Sequence, residues 1–400
     1  MAGHVNMAAA LRPPGPLERS PEVVTFGVEE EFLLLDAHTG LTAPYAGEVI
    51  RRCNQPGRVV GECMAHMVET RTQICSTLAA LGDDLHDARA RVSAAARDVG
   101  VACVPYPVPP FGTPSADQIV DDARYRELAR LLPRAMRTSG TCACHVHVGV
   151  PSRRAGVEVL GHLRRWLPAL IVLTAGSPVW QGHDTGWASQ RLRLVSRWPT
   201  AVPPPLVDSP EAYDEQVRRA VSSGLALDAR SVYYLARLSP RHPTVEVRVA
   251  DVSATVDEAV TYTAVVVALV TGALRAWRDG APRPAVPDDR LRHVGLEAAH
   301  RGTAGVYLDP VTGTVTSTAA MVDALATMVR PELQRLGDGA ATLAALPRIV
   351  ATGGPAAQER HRFAEAGSPR AFVSSLAQLM TGTRASRTIT WSARPARLDH

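Results

Sequence analysis

Charged or ionisable side chains two residues apart recur in four short segments that are otherwise apolar. The pairs are Glu29 and Glu31 in VEEEFLLLD, Glu69 and Arg71 in MVETRT, His145 and His147 in CHVHVGV, and Glu246 and Arg248 in TVEVRVAD. Residues i and i+2 of a β-strand point to the same face, so each segment predicts a strand with one apolar and one ionisable face. Side by side in an antiparallel sheet, the four segments would line one polar trough.

The trough would collect four carboxylates, those of Glu29, Glu31, Glu69 and Glu246. Clustered carboxylates cost several kcal/mol each when they are partly desolvated, unless a cation compensates them. Oxygen-rich ligands with a single imidazole favour Mg²⁺ or Mn²⁺ over Zn²⁺, and Mg²⁺ bound in this way usually accompanies substrate phosphates. The pattern therefore predicts a divalent-cation site.

Each segment taken alone also fits a structural role. A His-x-His strand is about as often a hydrogen-bonded or exposed face as a metal site, and Glu-x-Arg pairs are more often ion pairs. A zinc site in CACHVH is disfavoured, because neighbours such as Cys144 and His145 would point to opposite faces. The joint occurrence of four such segments favours a site. Glu30 points away from the trough and needs a partner that the sequence does not name.

A mixed α+β fold must position these strands. Periodicity predicts helices at residues 77–99, 117–132, 156–175, 210–222, 257–278, 318–336 and 369–380. Proline-rich stretches predict long loops at 104–114 and 198–205. We expect a single domain over residues 22–384, between flexible tails at 1–21 and 385–400.

The amino-acid composition excludes several classes of partner and cofactor. The 400 residues are 46% hydrophobic with a net charge of +4, which predicts small-molecule substrates and neither nucleic-acid nor membrane partners. All 43 basic residues are arginine, so a P-loop lysine and a Schiff-base lysine are both excluded. Six scattered cysteines predict reduced thiols and a cytoplasmic location. The apolar run 259–274 is shorter than the roughly 20 residues that span a bilayer and predicts a core helix.

Five segments between residues 23 and 274 resemble, in order, the signature blocks of the glutamate-cysteine ligase type 2 family. They are TFGVEEEFLLLD, VETRTQICSTL, CACHVHVGVP, SPVWQGHDTGWASQRLRLVSRWPT and SPRHPTVEVRVADVSATVDEAV. These carboxylate-amine ligases belong to the glutamine synthetase-like superfamily. The resemblance implies an antiparallel β-sheet with helices on its outer face, and an active site on the concave face that binds ATP and divalent metals. It also implies ATP-dependent amide-bond formation through an acyl phosphate, with γ-glutamylcysteine as the product that the family name suggests.

The resemblance also implies roles for single residues. The metal ligands would be Glu29, Glu31, Glu69, His145 and Glu246, with Glu31 and Arg248 as catalytic residues. Arg248 would contact the phosphates of ATP. His147 shares a face with His145 and either approaches the nucleotide or serves as a structural histidine.

Three further arginines are candidates for holding an anionic substrate. Arg71 lies on the predicted trough, whereas Arg191 and Arg197 lie in a segment whose Gly, Ser, Asp and Trp content is typical of a substrate-binding loop. A capped surface turn explains the same segment structurally.

Two other classes of protein fit the motifs. One is a metal-dependent hydrolase whose histidines and glutamates activate water, and zinc is the metal expected for it. The other is a homologue that binds a nucleotide or amino acid but has lost turnover. A homodimer is compatible with all three hypotheses.

Overall fold

A computed structural model describes residues 24–137, 139–337 and 339–382. The tails expected at 1–21 and 385–400 lie outside the described residues. The described strands are β1 (Phe26–Leu35), β2 (Val59–Gly61), β3 (Met67–Arg71), β4 (Ala102–Val104), β5 (Ala143–Gly149), β6 (Val179–Trp180), β7 (His183–Asp184), β8 (Ala236–Leu238), β9 (Thr244–Asp251), β10 (Val306–Leu308) and β11 (Val315–Ser317).

Helices make up much of the remaining described chain. They are α1 (Ala46–Cys53), α2 (Leu78–Val99), α3 (Ala123–Leu131), α4 (Pro133–Met136), α5 (Arg153–Leu163), α6 (Leu167–Thr174), α7 (Gln190–Val195), α8 (Pro210–Ser222), α9 (Val256–Arg278), α10 (Asp288–Arg301), α11 (Thr318–Arg335), α12 (Gly339–Ala351), α13 (Gly354–Ala366) and α14 (Pro369–Met380).

A seven-stranded antiparallel sheet runs in the order β2-β3-β1-β5-β9-β8, with β4 paired to the end of β1. The four segments with ionisable pairs are therefore neighbours, as predicted. In the register, Glu31 lies opposite Glu69 and Glu29 lies opposite His145. His147 lies opposite Glu246. The predicted α+β fold with one polar sheet face is confirmed.

The opposite face of the sheet packs on helices. Val28, Val146 and Val247 join a core with apolar residues of α2, α5, α6 and α9. Helix α9 begins with a capping box, in which Thr255 and Glu258 each bond the other's backbone N–H. Its length and composition would allow a membrane crossing, but 72% of its most apolar window is buried inside the protein. The run 259–274 is thus a core helix, as predicted.

Several helix predictions need correction. The helix predicted at 156–175 is two helices, α5 and α6, and Pro168 stands in the first turn of α6. The one predicted at 117–132 begins only at Ala123, because Asp122 caps the backbone N–H groups of Arg124 and Tyr125. The predictions also miss six described helices, α1, α4, α7, α10, α12 and α13.

Glu30 has a partner on the helical side of the sheet. Arg89 of α2 binds its carboxylate with two nitrogens, at 3.0 and 2.5 Å, and both side chains are fully buried. The same guanidinium donates to the backbone carbonyls of Ser253 and Ala254 at 2.8 and 3.1 Å. This ion pair therefore joins β1, α2 and the segment that leads into α9.

A second buried acid, Glu359 of α13, lies in a small cavity of about 30 Å³ behind the sheet. Arg362 donates to its Oε1 at 3.4 Å, whereas Oε2 makes no hydrogen bond in the described structure. The cavity is also lined by Glu258 and Tyr262. Burial raises the pKa of Glu359 from 4.5 to about 7.

This pKa predicts a pH dependence of stability that Glu359→Gln removes. The pKa is raised in the folded state, so the contribution of Glu359 to stability is full below pH 4.5 and is lost as pH rises through about 7. At pH 8 the uncharged variant is expected to be more stable than the wild type by at most about 3 kcal/mol, a gain that the lost pairing with Arg362 reduces. Urea unfolding at pH 5 to 8 measures this. The exposed Glu365→Gln on the same helix is the control, and equal pH slopes for the wild type and Glu359→Gln would contradict the prediction.

Candidate active site

The polar face of the sheet forms the floor of an open cavity of about 440 Å³. Its lining includes most of the residues that the sequence singles out, namely Glu29, Glu31, Glu69, Arg71, His145, His147, Arg191, Glu246 and Arg248. It also includes Glu62 and Arg237, which the sequence reasoning missed. The volume is within the range of about 300–1,000 Å³ that is usual for small-molecule sites.

Three carboxylates form the first group in the cavity, which we call the acidic cluster: Glu31, Glu62 and Glu69. One oxygen of each lies within 4.8 Å of the other two. Glu31 and Glu69 face each other across β1 and β3, and Glu62 follows β2 directly. The backbone N–H of Ala143 donates to Glu31 at 2.7 Å.

The acidic cluster holds its protons unusually tightly. Burial, and secondly the neighbouring Glu69, raises the pKa of Glu31 to about 7. Burial and the neighbouring Glu31 likewise raise the pKa of Glu62 to about 7. The pKa of Glu69 is well above its ordinary value for the same two reasons, burial and the charge of Glu62. The cluster therefore needs either protons or a cation.

A second group consists of Glu29, His147 and Glu246, whose ligand atoms also lie within 4.8 Å of one another. Glu29 Oε2 is 3.6 Å from both His145 Nδ1 and His147 Nε2. Burial raises the pKa of Glu29, but the two histidines outweigh burial and the pKa is lowered. Both of those imidazole nitrogens are buried and make no hydrogen bond in the described structure, as expected of atoms that face a ligand.

The two histidines take different positions relative to the carboxylates. The resemblance implied a metal ligand at His145 and left His147 as either a nucleotide-binding or a structural histidine. In the structure His147 belongs to the group with Glu29 and Glu246, and His145 Nδ1 lies 3.6 Å from the same Glu29. Strand pairing explains the difference, because His147 lies directly opposite Glu246 and His145 lies opposite Glu29. His147 is oriented by a 2.9 Å hydrogen bond between its Nδ1 and Thr244 Oγ1.

Glu246 is shared by two arginines. Arg237 on β8 binds it with two nitrogens, at 2.8 and 3.0 Å, and Arg248 pairs with the same carboxylate. Burial raises the pKa of Glu246, but Arg248 and Arg237 outweigh burial and the pKa is lowered. Glu246 is therefore ionised and largely neutralised by guanidinium groups, and it is less available to a metal ion than the acidic cluster.

The candidate substrate arginines occupy three different settings. Arg71 is half-exposed in the cavity and lies between the two groups, 2.6 Å from Glu69 and 3.5 Å from Glu29. Arg191 is buried and donates to the backbone carbonyls of Arg248 and Val249. Arg197 is exposed and is not part of the cavity lining. Arg197 thus lies outside the cavity. Both terminal nitrogens of Arg191 have other partners, whereas its Nε makes no hydrogen bond in the described structure.

Comparison with known proteins fits this geometry. The model of the glutamate-cysteine ligase family 2 matches residues 25–375. A protein of Saccharopolyspora erythraea named "Putative glutamate--cysteine ligase 2-1" is 41% identical over 340 residues, which cover 85% of this chain and 90% of that protein. A protein of Nocardia farcinica with the same name is 38% identical over 353 residues, covering 88% and 92%.

Solved structures show the same fold at low sequence identity. The glutamate–cysteine ligase of Francisella tularensis, solved in complex with AMP, superposes with a TM-score of 0.68 at 13% identity and covers 90% of each chain. A bifunctional glutathione synthetase from Pasteurella multocida gives a TM-score of 0.68 at 14% identity, covering 90% of this chain and 52% of that one. The predicted glutamine synthetase-like fold is confirmed. With its family model spanning nearly the whole described chain, the protein belongs to glutamate-cysteine ligase family 2 and is a carboxylate-amine ligase by family.

Proposed function

We propose that this enzyme joins the side-chain carboxylate of glutamate to an amine at the expense of ATP, with cysteine as the amine. The observation that carries the proposal is the acidic cluster beside Arg248 in one cavity of ligand size. The names of the relatives support glutamate and cysteine as substrates. The AMP bound in the structure of the Francisella tularensis ligase supports an adenine nucleotide as the cofactor.

The residues present fit divalent cations. The acidic cluster offers only oxygen ligands, the donor set that Mg²⁺ and Mn²⁺ prefer. Glu29 and His147, with Glu246 behind them, offer a second mixed site. The raised pKa values of Glu31 and Glu62 support a cation, because nearby arginines such as Arg248 do not offset the burial of these carboxylates. Bound metal would neutralise the phosphate oxygens of ATP and stabilise the charge of the transferring phosphoryl group.

The chain's own residues would position the reactants. Arg248 is fixed by Glu246 and extends along the cavity floor, where its guanidinium would bind phosphate oxygens. The side chain of Arg71 is half-exposed in the cavity, so its guanidinium can contact the carboxylate of an amino-acid substrate. Such positioning and charge stabilisation account for most of the catalysis in phosphoryl transfer.

Two displacements complete the reaction. A carboxylate oxygen of the acid attacks the γ-phosphorus, the bond from phosphorus to the bridging oxygen breaks, and ADP leaves. The amine nitrogen then attacks the acyl carbon of the acyl phosphate, and the carbon–oxygen bond breaks to release inorganic phosphate. The proton that the nitrogen loses goes to phosphate or solvent.

The competing classes receive less support. A zinc hydrolase is expected to collect histidines or cysteines, and in the described residues neither group holds more than one histidine or any cysteine. An inactive homologue has no need of a complete set, yet Glu29, Glu31, Glu69, His145, Glu246 and Arg248 all line the cavity. The cytoplasmic location and the homodimer stay predictions.

Phosphorus NMR tests the proposal directly. With Mg²⁺, ATP, glutamate and cysteine, we expect ADP and phosphate to accumulate, and to require both the acid and the amine. Glutamate labelled with ¹⁸O in its side-chain carboxylate is expected to pass one ¹⁸O atom to inorganic phosphate, since the acyl phosphate gives up its carboxylate oxygen.

Omission of each substrate and replacement of cysteine by serine, glycine or simple amines are the controls. ATP hydrolysis that is indifferent to the amine, or phosphate without the label, would contradict an acyl-phosphate ligase. Turnover with an amine other than cysteine would support the ligase reaction and show that cysteine is the wrong amine substrate.

A further inference from the structure

Strand β9 contains one extra residue at the centre of the active-site floor. Cys144 of β5 pairs with Ala250, but Val146 pairs with Val247, so the two residues Arg248 and Val249 lie opposite His145 alone. Such a β-bulge interrupts the ladder of hydrogen bonds and re-aims the side chains beside it. Its first residue is the arginine that extends into the cavity.

Arg191 donates hydrogen bonds to the backbone carbonyls of both residues of the bulge. Its Nη2 donates to the carbonyl of Arg248 and its Nη1 to that of Val249, both at 3.2 Å. Arg191 is 4% exposed, and its hydrogen bond to the Val249 carbonyl is buried. A buried carbonyl left without a donor costs about 1–3 kcal/mol, which is enough to make the bulge depend on the guanidinium.

Asp251 at the end of β9 holds Arg191 in place. Its carboxylate is fully buried and lies 3.6 Å from Arg191 Nη1. It accepts hydrogen bonds from the hydroxyls of Ser177 and Ser189 at 2.7 and 2.8 Å, and from the backbone of Gly176 at 2.9 Å. Ser189 is also the N-cap of α7, the helix that carries Arg191. The position of the guanidinium is therefore fixed from several sides.

We propose that Arg191 is a positioning residue. Its hydrogen bonds to the carbonyls of Arg248 and Val249, which we call the clamp, stabilise the β9 bulge and thereby orient the Arg248 side chain toward the phosphates of ATP. The proposal rests on the proposed function only in giving Arg248 the phosphates. It also accounts for Ser177 and Ser189, whose hydroxyls are buried outside the cavity lining and bind the Asp251 carboxylate that faces Arg191. In this proposal Arg191 affects ATP binding through Arg248.

The experiment is a double-mutant cycle on ATP binding, measured by calorimetry with MgATP. We expect Arg191→Met to raise the dissociation constant of ATP about 10-fold, and Arg248→Lys to raise it by a similar or larger factor. Because Arg191 acts through Arg248, adding Arg191→Met to Arg248→Lys is expected to change the constant by less than about 2-fold. Full multiplication of the two effects would overturn the proposal, as would a higher KM for the acid with unchanged ATP binding.

Arg164→Met is the matched control, since Arg164 is similarly buried and pairs with Asp288, and neither residue lines the cavity. It is expected to lower Tm without changing ATP affinity. Should Arg191→Met not fold, Asp251→Asn and Ser177→Ala loosen the same clamp, and both are expected to raise the ATP dissociation constant about 3-fold. Unchanged affinity in both would contradict the clamp.

Failure of the proposed function is distinguishable from failure of the clamp. If the wild type binds ATP but forms no amide, the proposed ligase function is wrong, and the double-mutant cycle on ATP binding still tests the role of Arg191. If the wild type binds no ATP, a crystal structure of Arg191→Met decides: an unchanged pairing of His145 opposite Arg248 and Val249 refutes the clamp, and a shifted register supports it.

Discussion

Glu62→Gln is expected to lower kcat by about 100-fold or more and to remove the stabilisation that Mg²⁺ gives to the wild type. Loss of a group that only supports a metal ligand already costs about 10–100-fold, and Glu62 is placed as a ligand itself. The metal-free variant should nevertheless be at least as stable as the wild type at pH 8, because one of three crowded carboxylates is gone. Activity assays and melting curves with Mg²⁺ or EDTA measure both effects.

Glu31→Gln is expected to behave in the same way, because it occupies the same cluster. Glu127→Gln, an exposed carboxylate on α3 that pairs with Arg130, is the control and should change neither quantity. Wild-type activity of both cluster variants at low Mg²⁺ would show that the acidic cluster does not hold the metal. A loss of activity with an intact response of Tm to Mg²⁺ would place the metal in the group of Glu29 and His147 instead.

Arg89→Met is expected to destabilise the protein by about 3–5 kcal/mol, the cost of leaving a buried charge without its partner. Glu30 would then be a fully buried carboxylate with no cation, and the carbonyls of Ser253 and Ala254 would also lose their donor. Urea unfolding followed by circular dichroism gives the free energy.

The double variant Glu30→Met/Arg89→Met separates the charge from the packing. Since an apolar pair of similar volume often replaces a buried ion pair without loss, it should be clearly more stable than Arg89→Met alone. Arg51→Ala, which removes an exposed ion pair with Glu48, should stay within about 0.5 kcal/mol of the wild type. A single variant Arg89→Met as stable as Arg51→Ala would refute a structural role for the pair.

Much of the fold is predictable because alternation is encoded within each strand. The valines around His145 and Glu246 identify one apolar face without any knowledge of the partner strands. The helices that sequence reasoning misses have weaker local signals. Helix α12 contains Pro347, which ordinarily ends a helix, and α13 buries only Gly354, Ala356 and Glu359. Their helical state depends on tertiary contacts.

The missed site residues share a physical cause. Glu62 and Arg237 belong to strands of three residues or to their ends, which are too short to show alternation. The assignment of His145 and His147 depends on pairing register, and a bulge such as that of β9 cannot be seen in composition. Arg191 attracts attention by its residue type, whereas its function follows from the carbonyls that it meets.

The three glutamates of β1 show how one strand can serve catalysis and folding with identical residues. Glu29 and Glu31 face the cavity, and Glu30 meets Arg89 behind the sheet. Loss or gain of one residue just before them would exchange the two faces and leave the letters EEE unchanged. Among homologues, a single alignment gap in this strand is therefore stronger evidence of lost function than many substitutions elsewhere.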